Sequence, residues 1–339
     1  MKQLRWRESF PEKVSRPKSA RKRISGGNFL VLKKKIIFLV GPTGIGKSAA
    51  AVNLAKKLNA EIISCDSMQV YRGMDVITSK ASLAQRRQVK HHLLDIVKPS
   101  EEYNVARYRD EALAACEKLF KKGSLPLFVG GTGLYYSVII DGLFPSAPED
   151  KKIRAGLYRE AKAKGGAQLY KKLAKVDPIA AGRIHPNDTR RIIRALEVFM
   201  LTGRPISSLQ KQRKGLGPEY EVKVFGLNTK RELLYKKIDA RVEKMFRLGL
   251  IGEVKRLLKG KLSKTASCAI GIKQLKEYLR GNCSLEEARR LMQQESRRYA
   301  KRQLTWFRKD ERIKWVNIKE REKPAAIANR IALLIMGIK

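Results

Sequence analysis

One eight-residue stretch constrains this chain more than any other: Gly41-Pro42-Thr43-Gly44-Ile45-Gly46-Lys47-Ser48. It follows the apolar run Ile36-Ile37-Phe38-Leu39-Val40 and precedes a helical pattern with Ala51, Leu54, Ala55 and Leu58 on one face. Strand, glycine-rich loop and helix is the setting in which G-x4-G-K-[ST] becomes a phosphate cradle, the P-loop. Glycines let the backbone approach a phosphate and take positive φ. Several N–H groups then point inward at the positive end of the helix dipole. Lys47 adds a mobile charge, and the Ser48 hydroxyl is suited to hold Mg²⁺.

Strand and helix patterns alternate on either side of this loop. Ile36–Val40, Glu61–Cys65, His92–Val97 and Leu125–Val129 read as strands, and residues 104–121 as a helix with Ala112, Ala115 and Leu119 on one side. This order predicts an α/β fold: an open, mostly parallel sheet with helices on both faces, like that of P-loop NTPases. Ligands in such sheets sit beyond the carboxyl ends of the strands. The P-loop, Asp66 and Gly130–Thr132 all fall at such ends and should converge on one crevice. Asp66 there can hold a metal ion, act as a general base, or simply form a turn or cap. The strand before Gly130 ends without an acid, so the usual Walker-B aspartate is missing, which disfavours an ATP-driven motor.

Charge bears on the partner. The 339 residues carry 74 basic and 32 acidic side chains, a formal net charge of +42. Such an excess repels itself unless a polyanion is present, so nucleic acid is the leading inference, against the alternative of a lysine-rich composition without a binding role. Two helical stretches fit a polyanion. In 189–202, Ile192, Ile193, Leu196, Phe199 and Met200 make an apolar side, with Arg190, Arg191 and Arg194 opposite. A second helix starts at Ser284 and Glu287 in capping-box register. Its apolar stripe is Leu285, Ala288, Met292, Tyr299 and Trp306, and its far side aligns Arg290, Arg297, Lys301 and Arg308. That line is roughly 27 Å long at ~1.5 Å per residue, enough for several phosphates. A solvated charged face is the competing reading.

The rest sets boundaries. Residues 1–32 read as a disordered basic arm, with a tail, a tether to RNA or a targeting peptide as its possible roles. Residues 33–142 form the P-loop core and 143–215 an inserted helical subdomain. In 216–339, Val222–Leu227 rejoins the sheet, a long amphipathic helix bears Ile238, Val242, Met245, Phe246, Val254 and Leu257, and the C-terminal third is helical throughout. No run of 18 apolar residues predicts a membrane span. Four cysteines without C-x-x-C spacing suggest a reduced, cytoplasmic protein without a zinc site. The three histidines match no metal spacing.

The blocks GPTGIGKS, EIISCDSMQVYRGMDV, HHLLDIV, VGGTGLYY, RIHPNDTRRIIRALEVF and AKRQLTWFR, in this order across about 35–315, together resemble the tRNA dimethylallyltransferase (tRNA isopentenyltransferase) family in its bacterial form. The resemblance implies transfer of a dimethylallyl group from dimethylallyl diphosphate to the exocyclic amine of the adenine beside the anticodon. It implies tRNA as partner, Mg²⁺ as cofactor and a monomer. Carried over by position, Asp66 looks like the general base, with Ser67, Met68 and Gln69 as its RNA-contacting neighbours. Gly41 through Ser48 look like the diphosphate site, joined by Lys255, and Thr132 and Arg154 resemble positions near the reactive channel. Arg190, Arg191, Arg194, Lys273, Arg297, Lys301, Arg302, Gln303, Trp306 and Arg308 fall in segments resembling the tRNA-binding ones. Cys268 and Ile272 depart from the family's usual Gln or Arg and Tyr. Three other readings stay open: prenylation of a free adenine nucleotide, a nucleotide-gated RNA-binding module without transferase activity, and a small-molecule kinase. A mononucleotide acceptor needs neither the +42 charge nor the long C-terminal region.

Overall fold

An unbroken apolar strand has to be covered on both faces, and the run at 36–40 lies at the centre of a sheet. A computed structural model describes residues 33–144 and 149–338; the expected basic arm over 1–32 lies outside these. The chain opens with β1 (Lys34–Val40), α1 (Lys47–Leu58), β2 (Ala60–Cys65), α2 (Leu83–Gln88), β3 (His91–His92), α3 (Val105–Lys121), β4 (Leu125–Gly130) and α4 (Gly133–Ile140). Short helices follow: α5 (Lys151–Lys164), α6 (Gly166–Val176), α7 (Pro178–Arg183), α8 (Thr189–Thr202) and α9 (Ile206–Gln210). The remainder is β5 (Tyr220–Asn228), α10 (Arg231–Arg247), α11 (Leu250–Lys259), α12 (Ile272–Leu279), α13 (Leu285–Phe307), β6 (Ile313–Asn317) and α14 (Pro324–Met336).

Among the described residues the strands form one six-stranded sheet, ordered β3-β2-β4-β1-β5-β6, with every pair parallel. Register aligns the strand ends. Val40 and Cys65 both lie level with Gly130, and Val40 with Gly226. The loops after β1, β2 and β4 therefore emerge side by side, as the expected crevice requires. Side chains of β1 alternate between two cores, as the strand period of two dictates. Ile36, Phe38 and Val40 join the face covered by α3, α4 and α10–α12, with Phe38 stacked on Phe128 at 4.6 Å between ring centroids. Ile37 and Leu39 join the face covered by α1 and α14. Helices α5–α9 enclose a third apolar cluster built on Leu157, Leu169, Leu173, Ile192, Ile193 and Val198. The chain enters and leaves this unit along one narrow neck, where Leu143 bridges Lys214 and Leu216 N–H donates to Ile140 O at 3.1 Å.

Several expectations need correction. The strand expected over His92–Val97 is confined to His91–His92, because Leu93 (φ 59°) and Asp95 (φ 55°) turn the backbone out of extended geometry. The long helix after β5 is two helices, broken at Gly249 with φ 84°. The C-terminal third is not helical throughout, since Ile313–Asn317 adds strand β6 beside β5. In α13 the buried side is Ala288, Met292, Ala300, Gln303 and Phe307, while Trp306 is 40% exposed. Ser284 Oγ accepts from Glu287 N–H at 3.1 Å, but the Glu287 carboxylate turns to Arg290, so only half of the capping box forms. In α8, Met200 is exposed, and a buried Glu197 takes a place among the apolar residues.

Candidate active site

The P-loop folds as its glycines allow. Gly41 has φ 145°, and a Cβ there would fall 2.9 Å from Leu227 O, so no larger residue fits. Lys47 opens α1 and its Nζ donates to Gly41 O and Pro42 O, both at 2.8 Å. Burial, the largest influence, pushes the Lys47 pKa down to about 7; the Asp66 carboxylate pulls it upward and Arg241 pushes it lower. Thr43, Gly44, Gly46, Lys47 and Ser48 line a cavity of about 310 Å³.

Asp66 faces the same cavity from the end of β2. Its Oδ1 accepts from Met68 N–H at 2.9 Å, so the turn role and the cavity position coexist. Its second carboxylate oxygen makes no hydrogen bond among the described residues and remains available to a ligand. Thr132 fixes this turn from the end of β4: its Oγ1 accepts from Ser67 N–H at 3.1 Å, and its own N–H donates to Cys65 O at 3.2 Å. Gln69 lines the cavity and also donates to Thr78 O at 3.4 Å.

Three residues complete the cavity from helices distant in sequence. Arg241 of α10 donates to Thr43 Oγ1, to Ser79 Oγ at 3.0 Å and to Thr78 O at 3.4 Å, and burial lowers its pKa. Its signal in the sequence was an arginine three residues after Ile238 on the apolar face of α10. Tyr299 lies on α13, its pKa raised to about 12 by burial, with the Asp66 charge adding to the shift. Gln303, expected in an RNA-contacting segment, is 6% exposed and used internally: Oε1 accepts from Thr43 N–H and Nε2 donates to Gly131 O, each at 2.8 Å. It ties the P-loop to the loop after β4. A larger cavity of about 880 Å³ adjoins the first, sharing Ser79, Ala81, Gln85 and Arg241, and adds Arg72, Lys80, Arg86 and Lys244.

The other expected site residues lie outside the cavity. Arg154 pairs with Glu149 and with Glu197 Oε2 at 3.1 Å, inside the α5–α9 unit. Arg194 is not part of an outward-facing trio, because it reaches inward to the same Glu197 oxygen at 2.6 Å. Burial opposes ionisation of Glu197, yet the bonds from Arg194, the Asp150 N–H and Arg154 hold its carboxyl below the usual range. Arg190 and Arg191 remain exposed on α8. Lys255 is exposed on α11, so Arg241 is the basic side chain that this region sends to the cradle. Lys273 is exposed on α12, whereas Ile272 is 3% exposed in the core and unable to meet a base. On α13, Lys301 and Arg302 are exposed, as is Arg308 at its C-cap. Arg290 pairs with Glu287 and Arg297 with Asp239, so two of the four cations aligned in the sequence are already paired. Trp306 packs its indole over Gly133, where a Cβ would lie 2.3 Å from the ring.

Among the described residues no group of three His, Cys, Asp or Glu could hold a metal ion. Mg²⁺ does not need such a cage: it keeps several waters and takes one or two protein oxygens with substrate phosphates. Ser48 and Asp66, lining one cavity, fit that donor set. No helix among the described residues is long and apolar enough to cross a membrane.

Comparison with known proteins places this arrangement. A family model described as IPP transferase matches residues 69–310, and one described as isopentenyl transferase matches 34–96. A tRNA dimethylallyltransferase of Geobacter sulfurreducens is 47% identical over 86% of this chain and 94% of its own length. One from Carboxydothermus hydrogenoformans is 48% identical over 84% and 92%. The crystal structure of a full-length tRNA isopentenylpyrophosphate transferase from Bacillus halodurans is 41% identical with a TM-score of 0.65, covering 90% of this chain and 98% of that one. A eukaryotic dimethylallyltransferase acting on tRNA is 29% identical with a TM-score of 0.73, covering 90% and 80%.

Proposed function

The chain belongs to the IPP transferase family, and from that membership we propose that it transfers a dimethylallyl group from dimethylallyl diphosphate to the exocyclic amine of the adenine adjacent to the anticodon in tRNA. The observation that carries this reading is a single cavity lined by both a phosphate cradle and a carboxylate: Lys47, Ser48 and Arg241 together with Asp66. In this reading the adenine amine attacks the first carbon of the prenyl group as the carbon–oxygen bond to diphosphate breaks. Asp66 accepts the amine proton through the carboxylate oxygen not held by Met68 and later releases it to water. Charge leaving on the diphosphate is met by the P-loop N–H groups, Lys47 and Arg241, donors fixed before the reaction, an arrangement that usually supplies the largest catalytic contribution. Mg²⁺, held by Ser48 with Asp66 nearby, would neutralise further phosphate charge.

A base stacked in an anticodon loop has to be turned out to reach Asp66, at a cost of a few kcal/mol. Phosphate contacts from the exposed cations of α8, α12 and α13 are suited to offset it. The reaction belongs to the cytoplasm, where the tRNA is, and the chain is taken to act on it as a monomer.

The test is incubation with dimethylallyl diphosphate, Mg²⁺ and unmodified tRNA, followed by nucleoside mass analysis. One isoprenyl unit should appear on one adenosine. Asp66→Asn should slow transfer by about 10² to 10⁴-fold, the range for losing a general base, with tRNA affinity retained. Prenylation of free adenosine phosphates in preference to tRNA would reject the assignment.

A further inference from the structure

Three consecutive backbone amides in the loop after Met74 converge on one buried carboxylate. Glu253 Oε2 accepts from Asp75 N–H at 3.0 Å and Val76 N–H at 2.8 Å, and Oε1 accepts from Ile77 N–H at 2.9 Å. Glu253 is 3% exposed, and among the described residues it forms no ion pair. Burying a carboxylate without a cation is costly, and only charge-assisted bonds of this kind offset the loss of water. A methylene-rich side chain would fill the same space on α11 without that penalty. The carboxylate therefore serves a purpose beyond packing: it dictates the path of residues 75–77.

That path leads directly to the cradle. Ser79 N–H donates to Val76 O at 2.9 Å, and Ser79 sits at φ 46°, a left-handed conformation rare outside glycine. In this conformation Ser79 Oγ and Thr78 O receive the Arg241 guanidinium, which also reaches Thr43 of the P-loop. The turn at 75–79 is thus gripped twice, by two consecutive helices. Helix α11 holds it through Glu253 and α10 holds it through Arg241, the two helices being separated by the break at Gly249.

We propose that Glu253 is a positioning residue for the transferase: by fixing the 75–79 turn it aims Arg241 at the departing diphosphate. This rests on the reading of the cavity as a diphosphate site. Glu253 touches no substrate itself. Its effect should be confined to the diphosphate half of the reaction and should depend on Arg241 being present.

The experiment measures the affinity of the full-length chain for inorganic diphosphate by calorimetry, and separately KM for dimethylallyl diphosphate and for tRNA. Glu253→Gln keeps the volume but presents an amide N–H where a backbone N–H needs an acceptor. It should weaken diphosphate binding and raise KM for dimethylallyl diphosphate by about tenfold, with KM for tRNA within about twofold. In an Arg241→Ala background the same change should add less than about twofold, the signature of two residues acting as one unit. Ser79→Ala, which buries no unpaired carboxylate or amide cluster, should weaken diphosphate about threefold and carries the test should Glu253→Gln fail to fold. A Glu253→Gln protein that melts earlier yet binds diphosphate normally would overturn the proposal, as would losses that simply add to those of Arg241→Ala. A wild-type chain that binds diphosphate but leaves tRNA unmodified would reject the transferase reading alone, because the calorimetric comparison does not depend on turnover.

Discussion

In the proposed reading, Lys47 is set for an anion before the anion arrives. Its ammonium is partly buried and, among the described residues, bonded only to the carbonyls of Gly41 and Pro42, neutral groups that do not fully replace solvent. Desolvation brings its pKa to about 7, well below the ordinary lysine value, even with Asp66 opposing the shift. The sign of the consequence follows from linkage. A diphosphate prefers the charged ammonium, so binding draws a proton onto Lys47 wherever the unliganded group has lost it. Below pH 7 little proton uptake is needed; above it, each unit of pH removes more of the competent form. The ratio of wild-type to Lys47→Met affinity for inorganic diphosphate cancels the ligand's own titration. That ratio should be nearly constant near pH 6 and fall with a limiting slope of about tenfold per pH unit above about pH 7. A ratio unchanged up to about pH 9 would show that the ammonium is not desolvated in solution.

Among the elements, α13 is the one with two occupations. Its buried side locks the site through Gln303, which joins Thr43 of the P-loop to Gly131. Its exposed side keeps Lys301, Arg302 and Arg308 in water, while Arg290 and Arg297 are already paired with Glu287 and Asp239. Charges with an acid at 2.6–2.7 Å have little left for a phosphate. Replacing Lys301, Arg302 and Arg308 by Ala should therefore weaken tRNA binding and flatten its logarithmic salt dependence by about 2 to 3. Arg297→Ala should leave that slope within about 0.5, since its charge is already committed. An equal loss of slope from Arg297→Ala would mean that the Asp239 pair opens when RNA binds. The helix also shows why part of the site was legible and part was not. Glycine loops and strand-end acids are local signals, so the P-loop, Asp66 and Thr132 could be placed from neighbours in the chain. Arg241, Tyr299 and Gln303 reach the cavity only because α10 and α13 pack across it, and one charge or amide on an apolar helix face looks the same in sequence whether it serves a site or a surface. Strand β6 escaped for a related reason: five residues, two of them buried, carry too short an alternation to stand out from the helices around them.

On the scale of the molecule, the sheet and the α5–α9 unit bury separate apolar interiors and are joined, among the described residues, at the neck at 140–144 and 214–216. The sheet's two cores fix the loops after β1, β2 and β4, so the proposed diphosphate half of the site depends on them. The third core, with the Glu197 charge cluster at its edge, holds Arg190 and Arg191 outward on α8. Damage to this third core should then separate the two substrates. Leu173 is fully buried in it, and Leu173→Ala removes a filled volume at a cost of about 3 kcal/mol. Hydrogen exchange should rise in α5–α9 while amides of β1, β4 and β5 keep their protection, because opening follows the local core. Diphosphate affinity should stay within about twofold of wild type, and tRNA affinity should fall by about fivefold or more as the cations of α8 lose their fixed spacing. Equal loss of protection in both regions would show that the narrow neck transmits enough stability to make the two interiors one cooperative unit.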